Sequence, residues 1–379
     1  MTTASAEAID FVHTGPETLA GRYLRRFWHP VYAARELESG QAVPIRVMGE
    51  DFTLFRGESG TAQVLAHRCA HRRAQLSIGW VEGDRIRCRF HGWAYDATGQ
   101  CIEQPAEPEP FCQKIKIAAY PTVEQLGLVF AYFGPAPAPP IPQWPELDRP
   151  NRMTTIETMP CNYFQFAENI VDDVHVGFVH RDVPRIGTEK NRRARIPRVS
   201  TEETPFGLTQ HLHHADGKIE RNHFLMPNVS FLAVTDMNKA GTPVLDLFWY
   251  VPIDDVSFRH VLVSVVETDA PLTSAWPPPS STPVSPVRDE ILAILSGQKR
   301  YADIRHPEVV RIQDGVTVVG QGEIVDRSAE HLGATDAAVI LLRKIWSREL
   351  RRVAAGEALT PFRRPADLRA ISDLPPRTA

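Results

Sequence analysis

Two cysteines and two histidines lie within HRCAHRRAQLSIGWVEGDRIRCRFHGW, residues 67–93, as Cys69 with His71 and Cys88 with His91. Thiolate and imidazole are both metal ligands, so the quartet can do metal chemistry. The spacing reads C-x-H, sixteen residues, then C-x-x-H. Zinc knuckles and fingers instead open with two cysteines a few residues apart, which lets one turn close around the ion. Zinc is therefore disfavoured.

A Rieske-type [2Fe-2S] cluster holds one iron through two thiolates and the other through two imidazoles. Two loops that each supply one Cys and one His meet that requirement. After the second pair, Gly92 permits a close backbone approach, and Trp93 and Tyr95 can shield a cluster from water.

A second constellation runs through NIVDDVHVGFVH, residues 169–180, as N-x-x-D-x-x-H-x-x-x-x-H. Steps of three place Asn169, Asp172 and His175 on one stripe of a helix. His180, five residues on, turns about 140° away from His175 on an ideal helix. The two imidazoles can share a metal only if the helix bends or breaks between them, and Gly177 is the expected place. Two histidines and one carboxylate on one face make a site for Fe(II) with positions left open. The tail RIQDGVTVVGQGEIVDRSAEHLGATDAAV offers Asp314, Glu323, Asp326, Glu330 and Asp336, and spacing does not choose among them.

The elements that must position these groups follow from pattern and composition. A chain of 379 residues with 43% apolar and 23% charged residues suits a globular protein of two domains. No apolar run reaches the roughly 20 residues of a membrane helix, and the N-terminus lacks the pattern of a secretory signal, which points to the cytoplasm. Five cysteines without an export signal argue against a disulfide framework; Cys101, Cys112 and Cys161 read as structural. A net charge of -4 gives no reason to expect nucleic acid. Basic residues nevertheless gather around the first quartet and between Arg181 and Arg198.

Two proline-rich breaks, GPAPAPPIPQWPELDRP at 134–150 and WPPPSSTPVSP at 276–286, cannot continue a helix or central strand, and the first is the better boundary. Before it, PIRVMGEDFTLFRG and TAQVLAH form an expected hairpin across GESG, and IKIAAYPTV and LGLVFAYFG continue an all-β pattern. After it come an expected helix from about Tyr163 to Val179, strand-like runs between residues 207 and 268, and a helix through TDAAVILLRKIWSRELRRVAAG. The chain is α+β, with residues 1–150 forming the first domain and 151–379 the second.

Both constellations, in this order, resemble the Rieske non-heme iron ring-hydroxylating oxygenases, in their phthalate-type and aromatic O-demethylase branch. The likeness runs from FWHPV at 27–31 to DRSAEHLGATD near the end. It implies an all-β Rieske domain and a helix-grip catalytic domain, in which a long helix lies across an antiparallel sheet. It implies that Cys69, His71, Cys88 and His91 hold one [2Fe-2S] cluster, and that His175, His180 and a tail carboxylate hold one mononuclear Fe(II). Because Gln313-Asp314 followed by Gln321-Gly322 matches the family's ligand segment, Asp314 is the expected carboxylate, with Glu323 in reserve. Asp172 matches the residue that bridges the cluster of one subunit and the iron of the next; Asn169 matches an asparagine near the iron.

The same resemblance implies a homotrimeric ring and a separate NAD(P)H-dependent reductase or ferredoxin, since no dinucleotide-binding motif occurs in the chain. The expected activity is O2-dependent hydroxylation or oxidative demethylation of an aromatic, carboxylate-bearing compound. Phe224, Phe231, Phe248 and Trp249 are candidate pocket walls. A Rieske electron carrier without oxygenase activity, and a zinc-stabilised binding protein, remain as alternatives.

Overall fold

The computed structural model describes residues 9–183, 196–234, 243–266 and 285–374. They fall into two compact units: residues 14–17 with 21–142, and residues 1–13, 18–20 and 143–379. The stretch 134–150 carries neither helix nor strand; most of 276–286 lies outside the described residues.

The smaller unit follows a helix α1 (Leu19–Leu24) and is built from short strands: β1 (Trp28–Ala33), β2 (Ala42–Val47), β3 (Glu50–Arg56), β4 (Ala62–Ala66), β5 (Trp80–Glu82), β6 (Arg85–Arg87), β7 (Ala94–Tyr95), β8 (Cys101–Glu103), β9 (Ala119–Tyr120), β10 (Thr122–Gln125) and β11 (Leu128–Tyr132). They form three antiparallel sheets of order β1-β11-β10, β2-β3-β4-β9 and β5-β6-β7-β8. The run expected as one strand at 44–57 is itself a hairpin, because Met48 and Gly49 both take positive φ and reverse the chain. The expected pairing across GESG is the β3-β4 ladder. Phe55, Leu65, Ile86, Trp93 and Tyr95 pack into a core that also buries Cys69, Cys88, Cys101 and Cys112.

The larger unit holds one seven-stranded antiparallel sheet of order β12-β18-β17-β16-β15-β14-β13. Its strands are β12 (Arg152–Met159), β13 (Arg198–Thr204), β14 (Gly207–His213), β15 (Ile219–Leu225), β16 (Val229–Val234), β17 (Val244–Asp254) and β18 (Ser257–Val266). The run HFLMPNVSFLAVT contributes to two of them, since Met226-Pro227-Asn228 turns the chain. β12 and β13 escaped sequence reading; both are sheet edges whose side chains are half-buried or exposed almost throughout, so they lack clear alternation.

Among the described residues the helices are α2 (Tyr163–Asn169), α3 (Val176–Val179), α4 (Val287–Leu295), α5 (Val309–Val319), α6 (Ala337–Ala355) and α7 (Leu368–Ile371). Nineteen residues long, α6 packs on β13 and β14 and inserts Trp346 against Phe164 of α2, giving the helix-grip arrangement. Among the described residues no helix is long and apolar enough to cross a membrane.

One expectation is corrected here. The helix from Tyr163 is not continuous to Val179: it ends at Asn169, and a 3-10 turn at Asp173–His175 leads into α3. The break therefore precedes His175 instead of falling at Gly177, which is buried inside α3. Ile170 and Val171 are β-branched and fit a helix poorly, and Asp172 leaves the helical region at φ -117°, ψ 76°. Asn162 starts α2 by accepting the Phe164 N–H at 3.1 Å.

Candidate metal centres

In the smaller unit the two Cys-His loops share one backbone design. Cys69 N–H donates to the Ala74 carbonyl at 2.8 Å and its own carbonyl accepts from Arg73 N–H at 3.0 Å. Cys88 does the same with Trp93, at 2.8 Å, and Gly92, at 3.0 Å. In each loop the fourth residue after Cys has positive φ, 62° at Arg73 and 76° at Gly92. Glycine is needed at 92 on a second count: a Cβ there would meet Pro105 Cγ at 2.7 Å. The two loops thus bury both thiols, with Cys69 and Cys88 each 1% exposed, and leave the imidazoles half-buried.

The His71 and His91 rings meet edge-on with centroids 4.5 Å apart, and His71 stacks on Trp93 at 4.6 Å. The Tyr95 hydroxyl lies 3.2 Å from Cys69 Sγ and accepts from Ala70 N–H at 3.1 Å. Burial raises the Cys88 thiol, and the neighbouring Cys69 adds to the shift. Two buried thiols side by side, and a buried His71 Nδ1 without a hydrogen-bond partner, fit a metal cluster better than a packed core.

The arginines here are not one free basic rim. Arg87 is paired with Glu82 at 3.0 Å and Glu103 at 2.7 Å, and Arg85 with Glu82 at 3.3 Å. Arg72 lies over Phe90 at 5.3 Å and Arg89 over Trp80 at 4.3 Å. With Ile78, Trp80 and Phe90 all exposed, the loops carry a mixed apolar and cationic surface.

In the larger unit His175, His180 and Asp314 converge, each offering one donor atom within 4.8 Å of the others. Asp314 Oδ1 lies 3.3 Å from His175 Nε2 and 3.1 Å from His180 Nε2. Each imidazole is oriented from behind: His175 Nδ1 faces the Asp172 carbonyl and His180 Nδ1 faces Gln313 Oε1 at 2.9 Å. With both Nδ1 protons donated to oxygen, both Nε2 atoms turn lone pairs toward the buried Asp314 Oδ1; with Nε2 protonated, the same contacts are ion pairs. A cation resolves that convergence.

Without a metal, a proton takes its place. Burial opposes charge at both groups, but the attraction wins: Asp314 is held well below the usual carboxylate range, and His175 is pushed up to about 9. Tyr301 pins α3 from the side by donating to the Val179 carbonyl at 2.8 Å. Of the other tail carboxylates, Glu323 has an exposed side chain, Asp326 caps a 3-10 turn, Glu330 pairs with Arg343, and Asp336 accepts from Gly333 N–H. Asn169 ends α2, and its carbonyl accepts from Asp172 N–H at 3.1 Å.

The chain is similar to known proteins. A family model described as the Rieske [2Fe-2S] domain matches residues 27–123. The chain is 32% identical to the 5,5'-dehydrodivanillate O-demethylase oxygenase subunit of Sphingobium sp. (strain NBRC 103272 / SYK-6), over 93% of this chain and 82% of that one. The chain belongs to the Rieske non-heme iron oxygenases. It is 29% identical to the phthalate 4,5-dioxygenase oxygenase subunit of Pseudomonas putida, over 89% of this chain and 84% of that one. In fold it is similar to NdmA of Pseudomonas putida CBB5, with a TM-score of 0.67 at 20% identity, covering 96% of this chain and 100% of that one. As a Rieske oxygenase it is a terminal oxygenase component with a [2Fe-2S] cluster and a mononuclear iron.

Sheet register sorts the aromatic residues of this oxygenase. Phe224, Ser230, Phe248 and Leu262 stand opposite one another, as do Tyr250 and His260, so all six share one face. Phe231 and Trp249 point to the other face, where they pack on His223 and Trp144. Of the four residues expected to wall a pocket, only Phe224 and Phe248 lie on the Tyr250 face. Sequence reasoning missed Tyr250 and His260. Burial lowers His260 to about 3, with Arg311 adding to the shift and Asp314 opposing it, so the ring is neutral and within reach of the Asp314 charge. Alternating strand positions were the available signal, but pairing partners were not.

Proposed function

We propose that Cys69, His71, Cys88 and His91 hold the cluster and that His175, His180 and Asp314 hold the mononuclear Fe(II). The observation that carries this reading is the convergence of His175 Nε2 and His180 Nε2 on one buried carboxylate oxygen, Asp314 Oδ1. When bound, the cluster delivers electrons singly and the iron activates dioxygen next to the substrate. The loops bury the thiolates and keep the imidazole edge near the surface, where an electron can enter or leave. Residues 1–150 hold an N-terminal segment and the Rieske domain, the latter within the smaller unit of residues 14–17 and 21–142, and residues 151–379 hold the catalytic mononuclear iron domain.

The substrate class is an aromatic compound, hydroxylated or oxidatively demethylated. The Phe224, Phe248, Tyr250 and His260 face supplies flat apolar surface, with a neutral imidazole Nδ1 that lacks a hydrogen-bond partner among the described residues. A substrate carboxylate needs a cation. Arg311, buried near this face, already pairs with Glu308 at 3.3 Å and Glu157 at 3.9 Å. The basic run from Arg181 to Arg198 is the other source: Arg181 pairs with Asp182 at 3.3 Å, Arg198 is exposed at the start of β13, and Arg185, Lys190, Arg192, Arg193 and Arg195 lie outside the described residues.

The protein works in the cytoplasm as a homotrimeric ring and receives electrons from an NAD(P)H-dependent reductase or ferredoxin. The exposed Ile78, Trp80 and Phe90, set among Arg72 and Arg89, suit a contact that is apolar at its centre and favours an acidic partner. Asp172, half-buried immediately before the 3-10 turn Asp173–His175, connects the two centres across the subunit boundary by holding a hydrogen bond to an imidazole.

Metal counting and electron paramagnetic resonance on the purified protein test the ligand reading. Three irons and two labile sulfides per chain are expected, two irons in the cluster and one alone. Two irons only would leave an electron carrier, and zinc in place of iron would overturn the reading. Oxygen uptake driven by NADH and a reductase, screened over aromatic acids and their methyl ethers, tests the substrate class.

A further inference from the structure

Gln313 and Asp314 are neighbours on α5, yet they meet opposite ends of one ring. Asp314 Oδ1 lies 3.1 Å from His180 Nε2, and Gln313 Oε1 lies 2.9 Å from His180 Nδ1. Gln313 is 4% exposed and His180 2%, so neither atom has water to fall back on. A buried amide that turns its oxygen to Nδ1 accepts that proton and leaves Nε2 bare. Turned the other way, its NH2 would put the proton on Nε2 and block a metal there.

We infer that Gln313 is a positioning residue for the mononuclear iron, whose amide oxygen fixes the tautomer and rotation of His180 while the next residue, Asp314, supplies the carboxylate. The two imidazoles are then held by unlike acceptors, a side-chain amide for His180 and the Asp172 backbone carbonyl for His175. Only the first can be altered by substitution. Because the amide is neutral, Gln313 orients His180 without adding a carboxylate of its own to the one that Asp314 supplies. This inference rests on His175, His180 and Asp314 being the ligands.

Cobalt(II), titrated into protein freed of its mononuclear iron but keeping the oxidised, magnetically silent cluster, reads both affinity and geometry through its own paramagnetic resonance. Gln313→Leu is expected to weaken cobalt binding 10- to 100-fold, the usual loss for an outer hydrogen-bond partner, and to change the cobalt spectrum. Gln313→Glu keeps an acceptor oxygen and is expected to stay within about threefold of the parent in affinity. Gln313→Asn, one methylene short, is expected to behave like Gln313→Leu. Parent-like affinity and spectrum in Gln313→Leu or Gln313→Asn would overturn the inference. Asp314→Ala separates the two levels. If it abolishes cobalt binding while Gln313→Leu does not, only the role of Gln313 falls; if it leaves binding intact, the ligand set falls with it. The cluster absorption reports folding in every variant, and Gln313→Glu, close in size and shape, keeps the test decisive if the leucine variant does not fold: weakened cobalt binding in it would also count against the inference.

Discussion

At the scale of single residues, the proposed iron site brings two imidazoles onto one buried carboxylate oxygen. Asp314→Ala should therefore lower the iron content from three to two per chain and leave the cluster absorption unchanged, which metal analysis with visible spectroscopy checks. Loading should also depend on pH. His175, raised to about 9 in the metal-free site, holds a proton below that value, and a metal must displace it. Cobalt affinity should accordingly rise about tenfold per pH unit up to about 9 and then level off, as measured by titration at fixed pH values. In the other centre the Tyr95 hydroxyl is placed to donate to the Cys69 sulfur once that is a thiolate. Tyr95→Phe removes a hydrogen bond that favours the more electron-rich reduced cluster, so voltammetry should show a lower reduction potential.

Elements determine whether those residues meet. The iron motif sits on a broken helix, and α2 is clamped to the end of α5 and the chain after it from two directions. Gln165 Nε2 donates to the Val318 and Gly322 carbonyls, both at 3.1 Å, and its Oε1 accepts from Val325 N–H at 3.1 Å. Glu168 takes Arg327 at 2.7 Å and Arg343 at 2.5 Å, in a nearly buried network that Glu330 completes. Breaking such a pair strands charge away from water. Glu168→Ala should cost about 3–5 kcal/mol and loosen the clamp between the histidines and Asp314, seen as a lower denaturation midpoint and partial loss of mononuclear iron. None of these partners was visible in sequence, because Glu168 and Arg327 are separated by 159 positions and no periodicity links them.

For the whole molecule, the proposed ring sends electrons from one subunit's cluster to the next subunit's iron. Chains lacking the cluster, through Cys88→Ser, and chains lacking the iron, through Asp314→Ala, should each be inactive alone. Mixed and reassembled, they should recover substrate-dependent oxygen uptake, because some boundaries would join an intact cluster to an intact iron site. No recovery, with mixed rings demonstrated by mass, would place the transfer within one chain. Asp172→Asn should keep both centres loaded while slowing single-turnover oxidation of the reduced cluster, since it removes the charge at the proposed crossing.

The sequence by itself determined which residues are the candidate ligands. Cys69, His71, Cys88 and His91, then His175 and His180, are legible because ligands from one loop or one turn have short, characteristic spacings. Family likeness narrowed the carboxylate to Asp314. Tertiary structure alone decided the rest: that Asp314, not the exposed Glu323, meets the histidines; that the helix breaks at 170–172; that Phe224 and Phe248 face away from Phe231 and Trp249; and that Gln313 backs His180. Each of these depends on contacts between segments distant in the chain, where register and packing, rather than spacing, determine which side chains meet.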